Sequence, residues 1–192
     1  MMNRRELLKT GLAGAVLGAP AIVRGQQPYK AEYRMSIAPP SAVFAWGKGA
    51  EIFAKLVRER TDGRINIKPY WGASLLQGQQ DREFTAMRQG VIDVLCGAPV
   101  NWSNTVKEFG VFMLPFLLPD HRAYDAVINS DFMTRDYFEF VRRSGAEPLA
   151  VGETGYRQIS NSRRPIVVPE DMKGLKIRVA GSPMFQDTLT AL

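Results

Sequence analysis

Residues 45–60 carry the pattern that most narrows the fold. Ala50, Phe53, Ala54, Leu56 and Val57 cluster on one face of a helix, while Glu51, Lys55, Arg58 and Glu59 make the rest polar. Thr61-Asp62-Gly63 supplies the stop. Two strand-like runs flank this helix: Tyr33 to Ile37, closed by a Pro39-Pro40-Ser41 break, and Ile65 to Tyr70, which alternates cleanly. A helix with one apolar stripe must bury it, and a strand–loop–helix–turn–strand order buries it against a sheet. The chain therefore opens as an α/β lobe.

The pattern continues. Gly72 to Gly78 reads as a loop into a helix near 80–89, Gly90 closes that helix, and Val91 to Leu95 gives a third strand. The Gly-x-Ser start of this loop is no nucleophile elbow, because a glycine is needed two places after the serine and residue 76 is leucine. Gly97 to Thr105 then follows a strand end, where open α/β sheets bind ligands. Asn101 and Trp102 are candidates there, with Phe44 and Trp46 from the first loop; for each aromatic, packing in the core or at a rim is the competing role. Phe109 to Asp120 is strongly apolar, but Pro115 and Pro119 interrupt it and it is too short to span a bilayer, so it reads as structure and not as a membrane device. Helices are expected at about 123–129 and 132–143, then a strand near Leu149-Ala150-Val151.

Charge and rare residues exclude several chemistries. Of the formal net charge of +6, half comes from Arg4, Arg5, Lys9 and Arg24 set against Glu6 in the first 25 residues, which leaves too little to argue for nucleic acid. The lone cysteine, Cys96, rules out an intrachain disulfide and a cysteine-based zinc site, and its strand-like neighbours make it a buried thiol rather than a nucleophile. A lone histidine, His121, leaves little scope for metal or triad chemistry and reads as a capping or surface residue. No metal and no cofactor is expected. Residues 1–25 read as an export signal, with a basic start and a Gly/Ala-rich apolar segment too short for a membrane span. The Arg4-Arg5 pair followed by Leu7-Leu8-Lys9 is similar to a twin-arginine signal.

Two arginines stand out near the end of the chain. Arg157 begins the β-prone run Arg157-Gln158-Ile159-Ser160-Asn161, and Arg178 lies in Leu175-Lys176-Ile177-Arg178-Val179. Alternation puts Leu175, Ile177 and Val179 on one face, and Lys176 and Arg178 on the other. A solvated face is the ordinary role of such an arginine. A ligand role suits it too, because a guanidinium meets a carboxylate with two parallel hydrogen bonds.

The stretch GYRQISNSRRPIV followed by PEDMKGLKIRV resembles the DctP-type solute-binding proteins of tripartite ATP-independent periplasmic (TRAP) transporters. The phrases AEIFAKLV, TDGRINI and GVIDV extend the resemblance over nearly all of the chain after residue 25. It implies a periplasmic-binding-protein-like α/β fold with two lobes and a hinge: a first lobe over 27–150 and the start of a second, incomplete one over 151–192. It also implies Arg178 as the main clamp on a ligand carboxylate, Arg157 as a second contact, Gln80 and Asn101 at positions near polar ligand groups, and burial of the apolar run 109–120 between elements. Gln80 and Asn101 are both neutral here, so a second acid group on the ligand must find another partner. The implied protein is a periplasmic, monomeric, non-enzymatic receptor for a small organic acid, delivering it to TRAP permease subunits. The final run, Pro183 to Leu192, reads as an unfinished helix, and a truncated family member is expected. The alternatives are an exported enzyme, which the scarcity of His and Cys and the lack of a phosphate loop disfavour, and a sensor or scavenger on the same fold.

Overall fold

The computed structural model describes residues 29–192. The export-signal reading of residues 1–25 and the start of the first lobe at 27 lie outside the described residues.

Among the described residues three parallel strands form the sheet: β1 (Tyr33–Ile37), β2 (Ile67–Trp71) and β3 (Val94–Cys96), in the order β2-β1-β3. The register pairs Tyr33 with Ile67 and Ile37 with Trp71 on one side, and Met35 with Val94 and Ile37 with Cys96 on the other. Parallel strands need crossovers, which cover both sheet faces. Helix α1 (Ala45–Arg60) makes the first crossover. Its buried Ala50 and Ala54 pack on Met35, Ile37 and Ile67, flanked by Phe53 and Val57, as the apolar stripe requires. The Thr61 hydroxyl and N–H both donate to the Val57 carbonyl, and Asp62 and Gly63 turn left-handed, so the helix ends where the sequence places its stop.

The opposite face takes helix α2 (Glu83–Arg88), entered through a tight turn at Gln80–Arg82. Behind it lies an aromatic cluster of Phe84, Trp102, Phe109 and Tyr137 joined by Met133. Phe109 meets Phe84 edge-on at 4.8 Å and Phe140 at 5.6 Å. Burial pushes the Tyr137 hydroxyl up to about 12. Helix α3 (His121–Ile128) is capped by Asp120, whose carboxylate accepts from the Ala123 N–H at 2.8 Å. The expected helix over 132–143 divides into a wide π-type turn, Phe132–Tyr137, and α4 (Phe138–Arg143). Helix α5 (Pro183–Ala191) starts on a proline, which suits a first turn.

Several expectations need correcting. Of the two roles expected for His121 the surface one holds and the capping one does not: Asp120 fills the cap, and the exposed imidazole lies 3.0 Å from Glu153. The apolar run 109–120 is not buried throughout: Phe109 is, but Phe116 is 95% exposed, in a left-handed turn between Pro115 and Leu117. The strands expected at 149–151, 157–161 and 175–179 do not form. A strand is stable only when its backbone groups find a neighbour, and the sheet among the described residues ends at β2 and β3. The alternation within 175–179 nonetheless persists, with Leu175, Ile177 and Val179 half-buried and Lys176 and Arg178 exposed.

Candidate functional site

The chain leaves β1 for β2 on one side and later returns to place β3 on the other. That reversal makes a crevice at the carboxyl ends of β1 and β3, the place where open α/β sheets hold ligands. Three segments meet there: Ser36 to Ala38 at the end of β1, Gln80 to Glu83 at the start of α2, and the loop after β3 from Gly97.

Polar contacts stitch these segments together. The Gln80 side-chain amide donates to the Ala38 carbonyl at 3.3 Å, and the Asn101 amide donates to Gln80 Oε1 at 2.7 Å. One helical turn further in, the Ser36 hydroxyl donates to Glu83 Oε1 at 2.5 Å, and Trp102 Nε1 approaches Glu83 Oε2 at 3.5 Å. Ser36 and Glu83 are completely buried. Burial raises the Glu83 carboxyl above its ordinary value, only partly opposed by the Ser36 and Trp102 hydrogen bonds. Burial, with the nearby Glu83, also pushes the Cys96 thiol up, so Cys96 is no activated nucleophile.

Of the residues singled out from sequence, Gln80, Asn101 and Trp102 are thus brought together. Trp102 is 9% exposed and stacks near Phe84 at 6.0 Å, so it is part of the wall rather than a free ligand contact. Phe44 is half exposed at the entry to α1, and Trp46 is half-buried in the first turn of that helix. Arg157 and Arg178 are exposed and form no ion pair among the described residues. Arg157 lies over the Phe185 ring at 4.5 Å. The arginine-bearing segment is tied to the crevice loop just beyond Arg178: Asn104 donates to the Gly181 carbonyl at 2.6 Å, and Ser103 to the buried Ser182 hydroxyl at 3.2 Å. A second concavity of about 540 Å³ lies between α5 and 170–179, lined by Leu175, Ile177, Val179 and Leu189; neither arginine lines it.

Sequence reasoning missed Ser36 and Glu83. The available signal was positional: Glu83 shares a helix face with the apolar Ala86 and Met87.

The chain matches known proteins over most of its length. The family model described as bacterial extracellular solute-binding protein, family 7 (DctP), fits residues 38–192. The TRAP periplasmic solute-binding protein of Ralstonia eutropha, solved with (S)-2-acetolactate bound, is 51% identical with a TM-score of 0.81, covering 85% of this chain and 51% of that one. The L-malate-bound TRAP solute-binding protein of Pseudomonas aeruginosa is 26% identical with a TM-score of 0.72, over 84% and 54% of the two chains. Among curated relatives, the 2,3-diketo-L-gulonate-binding periplasmic protein YiaO of Escherichia coli is 31% identical across 70% of this chain and 40% of its own. The C4-dicarboxylate-binding protein DctP of Rhodobacter capsulatus is 25% identical across 100% and 56%. The chain thus spans about half the length of the proteins it resembles, and its α/β architecture is that of the periplasmic solute receptors. By the family match over residues 38–192, the chain belongs to the bacterial extracellular solute-binding proteins of family 7.

Proposed function

We propose that this chain is the ligand-receiving part of a periplasmic receptor that binds a small organic carboxylate and presents it to a TRAP-type permease. The observation that carries the reading is the Gln80–Asn101 pair at the strand-reversal crevice, in a chain of a solute-binding family. Arg178 supplies the charge, taking the carboxylate bidentately, and Arg157 adds a second contact. Neither guanidinium is neutralised by an acid among the described residues, so each is available to an anion.

The neutral pair also narrows the ligand class. Two carboxamides offer donors and acceptors but no positive charge, which suits a hydroxyl or keto group better than a second carboxylate. The 51% identical Ralstonia protein holds (S)-2-acetolactate, a monocarboxylate bearing both groups. A short hydroxy- or keto-monocarboxylate is therefore the expected ligand, bridging the two lobes and selecting the closed state of the receptor as a monomer.

A thermal-shift panel of (S)-2-acetolactate, L-malate and succinate tests this on the purified protein. A ligand that binds only the folded state adds about 2.7 kcal/mol of stability at a hundredfold excess over its dissociation constant. The monocarboxylate should raise the melting temperature most. A well-folded protein that responds to none of the three would remove the assignment.

A further inference from the structure

We propose that Glu83 is a positioning residue of the ligand site: its buried carboxyl fastens the loop that follows β3 to the end of β1, and so presents Asn101 and Gln80 to a ligand as one pre-aimed pair. The contacts form two parallel rungs. The outer rung is Ala38–Gln80–Asn101, and the inner rung is Ser36–Glu83–Trp102. Each rung joins the same three segments in the same order. Ser36 and Ala38 are two apart on an extended run, Gln80 and Glu83 are three apart on one helical face, and Asn101 and Trp102 are adjacent.

The rungs differ in what surrounds them. Gln80 and Asn101 are half-buried, whereas Ser36 and Glu83 are fully buried and Trp102 nearly so. Among the described residues no lysine, arginine or histidine forms an ion pair with Glu83. A buried acid without a cation is costly, and nothing in the packing of the sheet requires one. Phe84 and Phe109 already fill the space beside it. What Glu83 alone supplies is an acceptor for the Ser36 hydroxyl and the Trp102 indole at once. Trp102 in turn is wedged against Phe84 and Phe109, so fixing the indole fixes its neighbour Asn101.

The ligand arm of this proposal rests on the receptor reading above; the clamp itself does not. Two substitutions separate the outcomes. Glu83→Gln keeps an oxygen acceptor and nearly the same volume, and the Ser36 hydroxyl can rotate to match it. Glu83→Leu leaves the hydroxyl and the indole N–H without a partner. In ¹⁵N-labelled protein without ligand, Glu83→Leu should move the Asn101 side-chain amide signals, assigned by their loss in Asn101→Asp, while Glu83→Gln leaves them near their wild-type positions. In calorimetric titration with (S)-2-acetolactate, Glu83→Leu should weaken binding about tenfold or more, the scale of one buried donor left unpaired, and Glu83→Gln should not. If Glu83→Leu fails to fold, Ser36→Ala replaces it: it cuts the Glu83 carboxyl loose from β1 while leaving Trp102 its acceptor, so the Asn101 amide signals should still move and affinity still fall, by less than in Glu83→Leu. A folded Glu83→Leu or Ser36→Ala protein whose Asn101 amide signals and affinity match wild type overturns the proposal, even if its melting temperature falls. If the amide signals move but wild type binds no acid, the receptor reading fails, and with it the presentation of the pair to a ligand.

Discussion

The Arg157 guanidinium lies 4.5 Å from the centroid of the Phe185 ring, so the first arginine segment meets α5 through an aromatic face and not an ion pair. A cation–π contact at an exposed site contributes about 0.5–1 kcal/mol. It orients the guanidinium plane and leaves the N–H fork at its edge for an anion. Phe185→Leu should therefore cost about 1 kcal/mol or less in stability, yet weaken binding of an organic acid several-fold. Calorimetric titration reads this directly, and unchanged affinity would take Arg157 out of the site.

Arg178→Lys should have a larger effect on binding and a smaller one on folding. The side chain is exposed and forms no ion pair among the described residues, so the fold loses little with it. An ammonium keeps the charge but cannot reproduce two parallel hydrogen bonds, and a loss of about tenfold or more in affinity is expected. Binding at wild-type strength in the lysine variant would move the carboxylate elsewhere.

Two acids, Glu83 fully buried and Asp93 partly so, should tilt the pH dependence of stability in opposite directions. Around Glu83 stand the Ser36 hydroxyl, the Trp102 indole and the Cys96 thiol, and no cation pairs with it among the described residues. Its carboxyl is raised from its ordinary 4.5 by burial, so its contribution is full below 4.5 and is lost as pH rises through the folded-state value. Asp93 behaves oppositely. Burial works against its charge, but Lys30 and the Arg34 N–H at 2.8 Å outweigh it and hold the carboxyl below 3.8. Its contribution is present above 3.8 and is lost as pH falls through the lowered value. Urea unfolding across pH should show wild type losing stability relative to Glu83→Gln as pH rises from 4.5, and losing its advantage over Asp93→Asn in acid. Parallel curves for wild type and Glu83→Gln would mean that Glu83 does not titrate in this range.

The first half of the fold was legible because its signals are local. The stripe on 45–60 and the alternation of 33–37 need only their own residues to be read, and both elements lie where the pattern puts them. Asn101 was singled out by its place after a strand and Gln80 by the family resemblance, and neither reading foresaw the bond between them. The run 149–179 was not, because β-propensity describes a residue's fit to a sheet and a strand exists only beside another. Leu175, Ile177 and Val179 kept their common face and lost the ladder. Glu83 was hidden by its type: a glutamate in an amphipathic helix reads as a surface residue until its partners, 47 residues away on β1 and 19 away on the loop, are placed beside it.

Gly97 shows how little room the crevice loop has. It follows β3 directly, and its backbone is not in the left-handed region, so glycine is there for space and not for conformation. A Cβ at this position would lie 2.9 Å from Trp102 Cζ2 and 3.4 Å from Glu83 Oε2. The indole cannot swing away, because Phe84 and Phe109 hold it at ring distances of 6.0 Å each. The loop must then lift, carrying Asn101 off Gln80. Gly97→Ala should fold, lose about 1–3 kcal/mol as an overpacking change does, and bind an organic acid more weakly than that loss of stability alone would cause. Gly49 is the control, on α1, where an added Cβ would meet nothing within 4 Å. There alanine should raise stability by about 0.5–1 kcal/mol, as in any helix interior, and leave affinity unchanged. A Gly97→Ala protein with wild-type affinity and an unmoved Trp102 indole signal would show that the loop has room to spare and that the two rungs are not rigidly coupled.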